Sequence, residues 1–275
     1  MSTALSMAAL TDALHGHALR AGADLLAIAP IERFAELTPA KHPASIFPEA
    51  RSVLVVGKRI TRGTLRGVEE GTQFDLYRLY GRDWLTNRVL ATTTYRIAEF
   101  LEDAGWEAVP LPNLPSETPP MGIPAREGQP APNVLLDCDD AAVRAGMGEI
   151  GDCGLLLTPR FGPRQRIQLI LTDADLIPDP PFSGSVCLHC ADLEAVCPLK
   201  AISTAGPVDA AICHRCKNGV ESNHFHASGK PDRSAALCTR TCMVRLETAG
   251  RLSNIFENSF RTREPWGFVE ELKRL

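Results

Sequence analysis

Cys187-Leu188-His189-Cys190-Ala191-Asp192-Leu193-Glu194-Ala195-Val196-Cys197-Pro198 is the stretch on which the reading of this chain turns. Its spacing, Cys-x2-Cys-x6-Cys-Pro, follows the iron–sulfur run C-x2-C-x2-C-x3-C-P at every required position except the third, where Leu193 stands. A loop this short can wrap its thiolates around one face of a cuboidal cluster. The last cysteine, followed by proline, turns away toward a second cluster.

Downstream lie Cys213-x2-Cys216 and Cys238-x3-Cys242, so seven cysteines fall within residues 187–242. The second pair matches the end of another such run, with Ala235 where its first liganding cysteine would stand. Under the two-cluster pattern, Cys197 joins the later cysteines and Cys242 returns to the first site. One set is then complete, with Cys197, Cys213, Cys216 and Cys238. The other holds only Cys187, Cys190 and Cys242. Its gap at Leu193 leaves two expectations: an iron open to solvent or substrate, acting as a Lewis acid, or closure by Asp192, His189 or Cys153. Two [4Fe-4S] clusters are expected, one with incomplete cysteine ligation. Paired Cys-x2-Cys motifs also build tetrahedral zinc sites, but the Cys-Pro ending favours iron–sulfur. His189, His214, His224 and His226 lie nearby, and their plainer role is surface or structural. Cys138 and Cys153 stand outside the dense set, where a buried thiol is the commonest fate of an isolated cysteine.

Upstream, residues 10–28 carry apolar residues at helical spacing and pass into the strand Leu25-Leu26-Ala27-Ile28-Ala29. Ser52-Val53-Leu54-Val55-Val56-Gly57 reads as a strand covered on both faces, in mid-sheet. An amphipathic helix is predicted from Thr86 to Ala104, stopped by Gly105. A second buried strand is predicted at Ala108-Val109-Pro110-Leu111, then a proline-rich loop from Pro112 to Pro132, and a strand at Arg166–Thr172. Prolines at three of the four positions 178–181 mark a boundary near Pro180. The chain's 275 residues suffice for two small domains, divided as 1–180 and 181–275.

A formal net charge of −4 argues against a protein that neutralises many phosphates, so nucleic acid is not an expected partner. No apolar run approaches the roughly 20 residues of a bilayer-spanning helix. Residues 1–29 lack the basic start and short apolar run of a secretory signal, and a reducing cytoplasm is the expected compartment for these clustered thiols.

A further segment, Ala145-Gly146-Met147-Gly148-Glu149-Ile150-Gly151-Asp152-Cys153-Gly154-Leu155-Leu156-Leu157-Thr158-Pro159, leads into Phe161-Gly162-Pro163-Arg164 and Leu171-Thr172-Asp173. With the Cys187 to Cys242 framework, it resembles the epoxyqueuosine reductase and reductive dehalogenase group of iron–sulfur proteins. Weaker similarity around Gly22-Ala23-Asp24 and Ser52 to Gly57 extends the likeness over most of the chain. The resemblance implies an α+β fold: a nitroreductase-like α/β sandwich of the corrinoid-binding type, followed by a small ferredoxin-like iron–sulfur domain. It also implies a corrinoid as a second cofactor, with Gly146, Gly148, Gly151, Asp152 and Cys153 at its site. Here Glu149, Asp152 and Cys153 replace the family's usual tryptophan, lysine and asparagine or histidine, giving an acidic, thiol-bearing wall.

Asp137, Asp139 and Asp140 precede the glycine-rich segment closely enough to offer a proton, and Asp137, Asp140 and Glu149 are the catalytic candidates. The expected activity is reduction of a small molecule, or of a bound corrinoid, by electrons from a donor such as a ferredoxin or flavodoxin. A non-catalytic electron-transfer or reductive-activation partner of a corrinoid enzyme is the alternative, and a zinc-binding interaction module the third. Nothing in the sequence sets an oligomeric state.

Overall fold

The computed structural model describes residues 6–73, 75–112, 123–131, 134–203, 206–216 and 233–258. Helix α1 (Met7–Ala21) starts where the Ser6 hydroxyl accepts from the Ala9 N–H, and stops at Gly22 in the left-handed region. Strands β1 (Leu25–Pro30) and β2 (Ser52–Arg59) follow, then the short helix α2 (Arg66–Glu70) and helix α3 (Ala91–Asp103). Next come β3 (Ala108–Pro110), α4 (Cys138–Arg144), the two-residue strands β4 (Glu149–Ile150) and β5 (Leu156–Leu157), and β6 (Gln165–Thr172). Beyond these lie α5 (Asp192–Val196), α6 (Ala210–Cys213) and α7 (Leu237–Thr248).

The main sheet is antiparallel throughout, in the order β1-β2-β6-β3. Strand alternation sends the apolar stretches of β2 (Val53–Val56) and β6 (Leu169–Leu171) to both faces of the sheet. Val53, Val55, Leu169 and Leu171 face the core that α4 covers, whereas Leu54, Val56 and Ile170 face α1 and α3. Each such side chain contributes roughly 1.5–3 kcal/mol when fully buried. Gln168 of β6 is polar and buried but satisfied: it accepts from Thr94 Oγ1 and donates to the Thr86 carbonyl, both at 3.1 Å.

Two sequence expectations need correction. Ala108–Pro110 is an edge strand, paired with β6 alone, and its Val109 and Pro110 are only half-buried. Proline is tolerated there because an edge position needs no inward N–H. The helix expected from Thr86 is regular only from Ala91, with the π-helical stretches Tyr77–Asp83 and Leu85–Leu90 leading into it. Arg166 of β6 explains part of this widening, since it donates to the Gly81 carbonyl at 2.9 Å and to the Tyr77 hydroxyl at 2.7 Å. Most of the proline-rich loop, at 113–122 and 132–133, lies outside the described residues, as do His224 and His226.

A third core joins residues from both sides of Pro180. Cys153 and Leu157 pack there with Val186, Cys187, Leu193, Ile202, Ala236, Cys238, Cys242, Leu246 and Leu252. Beside it, Arg240 of α7 pairs with Glu69 of α2 at 2.5 Å, both nearly buried. No described helix is long and apolar enough to cross a membrane.

Candidate metal centre

All nine cysteines are free, and eight gather around α7. Cys238 and Cys242 stand four residues apart and so share one face of that helix. The helix thereby turns both thiols into one core. Burial, with Cys153 and Cys213 beside it, pushes the Cys238 thiol up to about 12, against the opposing charge of Arg233. Burial also raises Cys213, with Cys216 and Cys197 adjoining it, again opposed by Arg233. These contacts gather Cys197, Cys213, Cys216 and Cys238.

Cys242 lies against the other group. Its thiol is in hydrogen-bond contact with Cys153, and that contact raises it well above the ordinary thiol range, helped by burial and by nearby Cys187 and Cys190. The same contact lowers Cys153, against the cost of its burial. From the sequence Cys153 is an isolated thiol by spacing and one of three candidates to close the gap at Leu193; folding brings it into one core with Cys187 and Cys242. Leu193 is buried in the same core. Cys138 stays apart, on α4 against the main sheet.

The surroundings suit thiolate-bound metal. Backbone N–H groups aim at sulfur, from Ala201 to Cys197 Sγ at 3.2 Å and from His189 to Cys187 Sγ at 3.5 Å. Arg233, 3% exposed, donates to the carbonyls of Cys153 and Gly154 at 2.5 and 2.9 Å and touches the Cys213 sulfur. Its Nε is buried with no acceptor among the described residues, an unmatched donor of the kind that a cluster sulfide satisfies. Sequence reasoning missed Arg233 altogether, because a lone arginine carries no motif.

The remaining site residues are each held by partners of their own. Glu149 Oε1 accepts from the N–H groups of Val186 and Cys187 at 2.5 and 2.7 Å, so it fixes the backbone that presents Cys187. Asp152 pairs with exposed His189 at 3.1 Å, and their ligand atoms and the Cys187 sulfur all lie within 4.8 Å of one another. Asp137 caps α4, accepting from the N–H groups of Asp139 and Asp140, while Asp140 pairs with Arg144 at 2.6 Å. Asp137 and Asp140 also line a cavity of about 310 Å³ with Phe34, Leu37, Lys41 and Ile150.

The glycines expected to receive a flat ligand pack against protein on the side where a Cβ would project. A Cβ on Gly146 would sit 2.0 Å from the Pro180 carbonyl oxygen, one on Gly148 2.1 Å from that of Leu157, and one on Gly151 2.4 Å from Leu157 Cδ1. Gly146 is also in the left-handed region, with φ of +79°. Gly148→Ala is therefore expected to cost roughly 2–4 kcal/mol, since its clash is with backbone that cannot swing aside. Thermal unfolding checks this; an unchanged midpoint would mean that the space beside Gly148 is open.

No protein-family model matches the chain. The chain is 38% identical over 120 residues to tetrachloroethene reductive dehalogenase of Desulfitobacterium hafniense, a stretch covering 42% of this chain and 18% of that protein. The enzyme of the same name from Sulfurospirillum multivorans is 41% identical over 69 residues, covering 24% of this chain and 14% of that one. The chain thus spans less than a fifth of the length of these relatives. Among solved structures, a catabolic reductive dehalogenase in complex with 3-bromo-4-hydroxybenzoic acid superposes with a TM-score of 0.53 at 17% identity, covering 92% of this chain and 36% of that one. An epoxyqueuosine reductase from Streptococcus thermophilus gives 0.52 at 15% identity, covering 76% of this chain and 56% of that one. The resemblance read from the sequence is therefore shown: the relatives in sequence are reductive dehalogenases, and the fold is shared with them and with epoxyqueuosine reductase.

Proposed function

We propose that the chain is an iron–sulfur oxidoreductase that accepts electrons from a ferredoxin- or flavodoxin-type donor and reduces a small molecule held against the main sheet. The observation that carries this reading is the gathering of cysteines into two groups around α7, without disulfides and with a buried cation between them. Residues 1–180 form the substrate unit and 181–275 a ferredoxin-like unit. Cys197, Cys213, Cys216 and Cys238 hold one [4Fe-4S] cluster, and Cys187, Cys190 and Cys242 contribute to a second. When bound, such clusters supply one-electron transfer.

The chain's own residues do the rest. Arg233 offsets the negative charge that the thiolates concentrate in a dry site. Glu149 holds the first cysteine of the run in place through two backbone N–H groups. The cavity lined by Asp137 and Asp140, at about 310 Å³, is at the low end of the roughly 300–1,000 Å³ of small-molecule pockets. Lys41 in its wall would fix an anionic or polar substituent, and the carboxyl of Asp137 or Asp140 would hand over the proton that accompanies reduction. Protein occupies the space that a Cβ would take at Gly146, Gly148 and Gly151, the glycines expected to lie beside a corrinoid. No step is routed through that cofactor.

That packed turn favours one further reading, a non-catalytic electron carrier that activates a separate corrinoid enzyme. Protein purified without oxygen is expected to be brown, with broad absorption near about 400 nm that bleaches on reduction. A colourless zinc protein would refute both readings. Oxidation of the reduced protein by a halogenated aromatic or other small acceptor, in the absence of a second enzyme, separates the enzyme from the carrier.

A further inference from the structure

The group around Cys242 lacks the thiolate that a ferredoxin run places at Leu193, and the fold supplies another from far upstream. We propose that Cys153, on the turn between β4 and β5, is the fourth thiolate ligand of the cluster held by Cys187, Cys190 and Cys242. This rests on the iron–sulfur reading above and adds a ligand that the cysteine run does not contain.

Four observations converge on it. The Cys153 and Cys242 thiols lie close enough to perturb one another. Cys153 is 1% exposed and packs in one core with Cys187, Cys242 and Leu193. A Cβ built on Gly151, two residues before it, would stand 3.5 Å from Cys187 Sγ, so the turn itself lies against the first cysteine of the run. Arg233 binds the carbonyls of Cys153 and Gly154, and Gly154 at φ +68° takes a backbone shape suited to glycine, so the turn is held from both sides.

Among the described side chains, the competing ligand His189 is less well placed. His189 is 71% exposed at its side chain and engaged with Asp152, outside the apolar core that holds the sulfurs. The side chain of Asp192 lies outside the described residues. Leu193 fills its place in the core with an apolar side chain, so the usual thiolate is removed and replaced from another part of the chain rather than lost.

Two consequences follow. The cluster has no open coordination position and acts as an electron relay, not as a Lewis acid. Its ligands come from both sides of Pro180, so its assembly ties the glycine-rich turn to the C-terminal unit, with each cysteine proton passing to solvent as iron binds.

The test compares Cys153→Ser with wild-type protein, both purified without oxygen, by iron and acid-labile sulfide content and by paramagnetic resonance. Serine fits the site with little change of volume. Wild-type protein should hold about eight irons, and the variant about four, or about seven if a three-iron form remains, with the signal of the other cluster unchanged. Adding Leu193→Cys to Cys153→Ser should restore the lost iron, because it returns a thiolate to the ferredoxin position. A folded Cys153→Ser protein with wild-type iron, sulfide and spectrum overturns the proposal. Should that variant fail to fold, wild-type protein decides: a four-thiolate site survives brief ferricyanide oxidation, whereas conversion of one cluster per chain to a three-iron form contradicts the ligand set. Wild-type protein without iron and sulfide would remove the iron–sulfur reading itself, so the two failures are told apart.

Discussion

Cys238→Ser is expected to empty one whole metal site and to unfold the region around α7. Cys238 is buried, 8% exposed, and lies on the helix that also carries Cys242. Among the described residues, little regular structure supports that region apart from α7, since α5 and α6 are only five and four residues long. Metal-site assembly there should supply much of the folding free energy, as in other small ligand-rich units. Iron should fall from about eight to about four per chain or below. A loss of several kcal/mol would lower the unfolding midpoint by on the order of 10 °C or more for a chain of this size. Cys197→Ser should behave alike, whereas Cys138→Ser, on α4 against the main sheet, should keep its iron. Equal iron loss in all three variants would show that the partition into two sets is wrong.

Arg233→Met is expected to have the second largest effect, and it acts in two separable ways. Two carbonyls, of Cys153 and Gly154, lose their donors in a buried site, at about 1–3 kcal/mol each. Removal of the cation also leaves the thiolate charge unopposed. At an effective dielectric near 20, a unit charge at roughly 5–8 Å interacts by about 2–3 kcal/mol, which is on the order of 100 mV for a one-electron couple. The variant should therefore be less stable and its clusters harder to reduce. Arg233→Lys keeps the charge but not the planar fork that reaches two carbonyls, so it should recover most of the potential and little of the stability. Calorimetry and a redox titration followed by paramagnetic resonance measure the two effects. Equal potentials in the wild-type and methionine proteins would place Arg233 outside the electrostatic field of the metal.

Period-two apolar strands and a capped amphipathic helix made β1, β2, β6, α1 and the regular part of α3 legible in the sequence. Sheet order was less so: nothing local to Ala108–Pro110 separates an edge strand from an inner one, because that depends on which partners arrive later in the chain. The π-helical lead-in to α3 escaped because its contact with Arg166 spans more than eighty residues. In the site, the run from Cys187 to Cys197 and the pairs beyond it were legible because chelation imposes short, regular spacings. Cys153 was legible only as one of three residues that could close the gap at Leu193, and Arg233 not at all, since each reaches the centre through tertiary folding alone. The glycines of the β4–β5 turn were visible as positions that exclude a Cβ, but sequence cannot tell whether ligand or protein takes that space. Here Pro180 and Leu157 take it. Glu149, a catalytic candidate by its place beside the glycines, holds the backbone of Val186 and Cys187.

The most direct test of the iron–sulfur assignment is the iron, acid-labile sulfide and zinc content of protein purified without oxygen. About eight irons and eight sulfides per chain, with little zinc, are expected if both cysteine sets fill. Stoichiometric zinc with no sulfide would contradict the assignment outright.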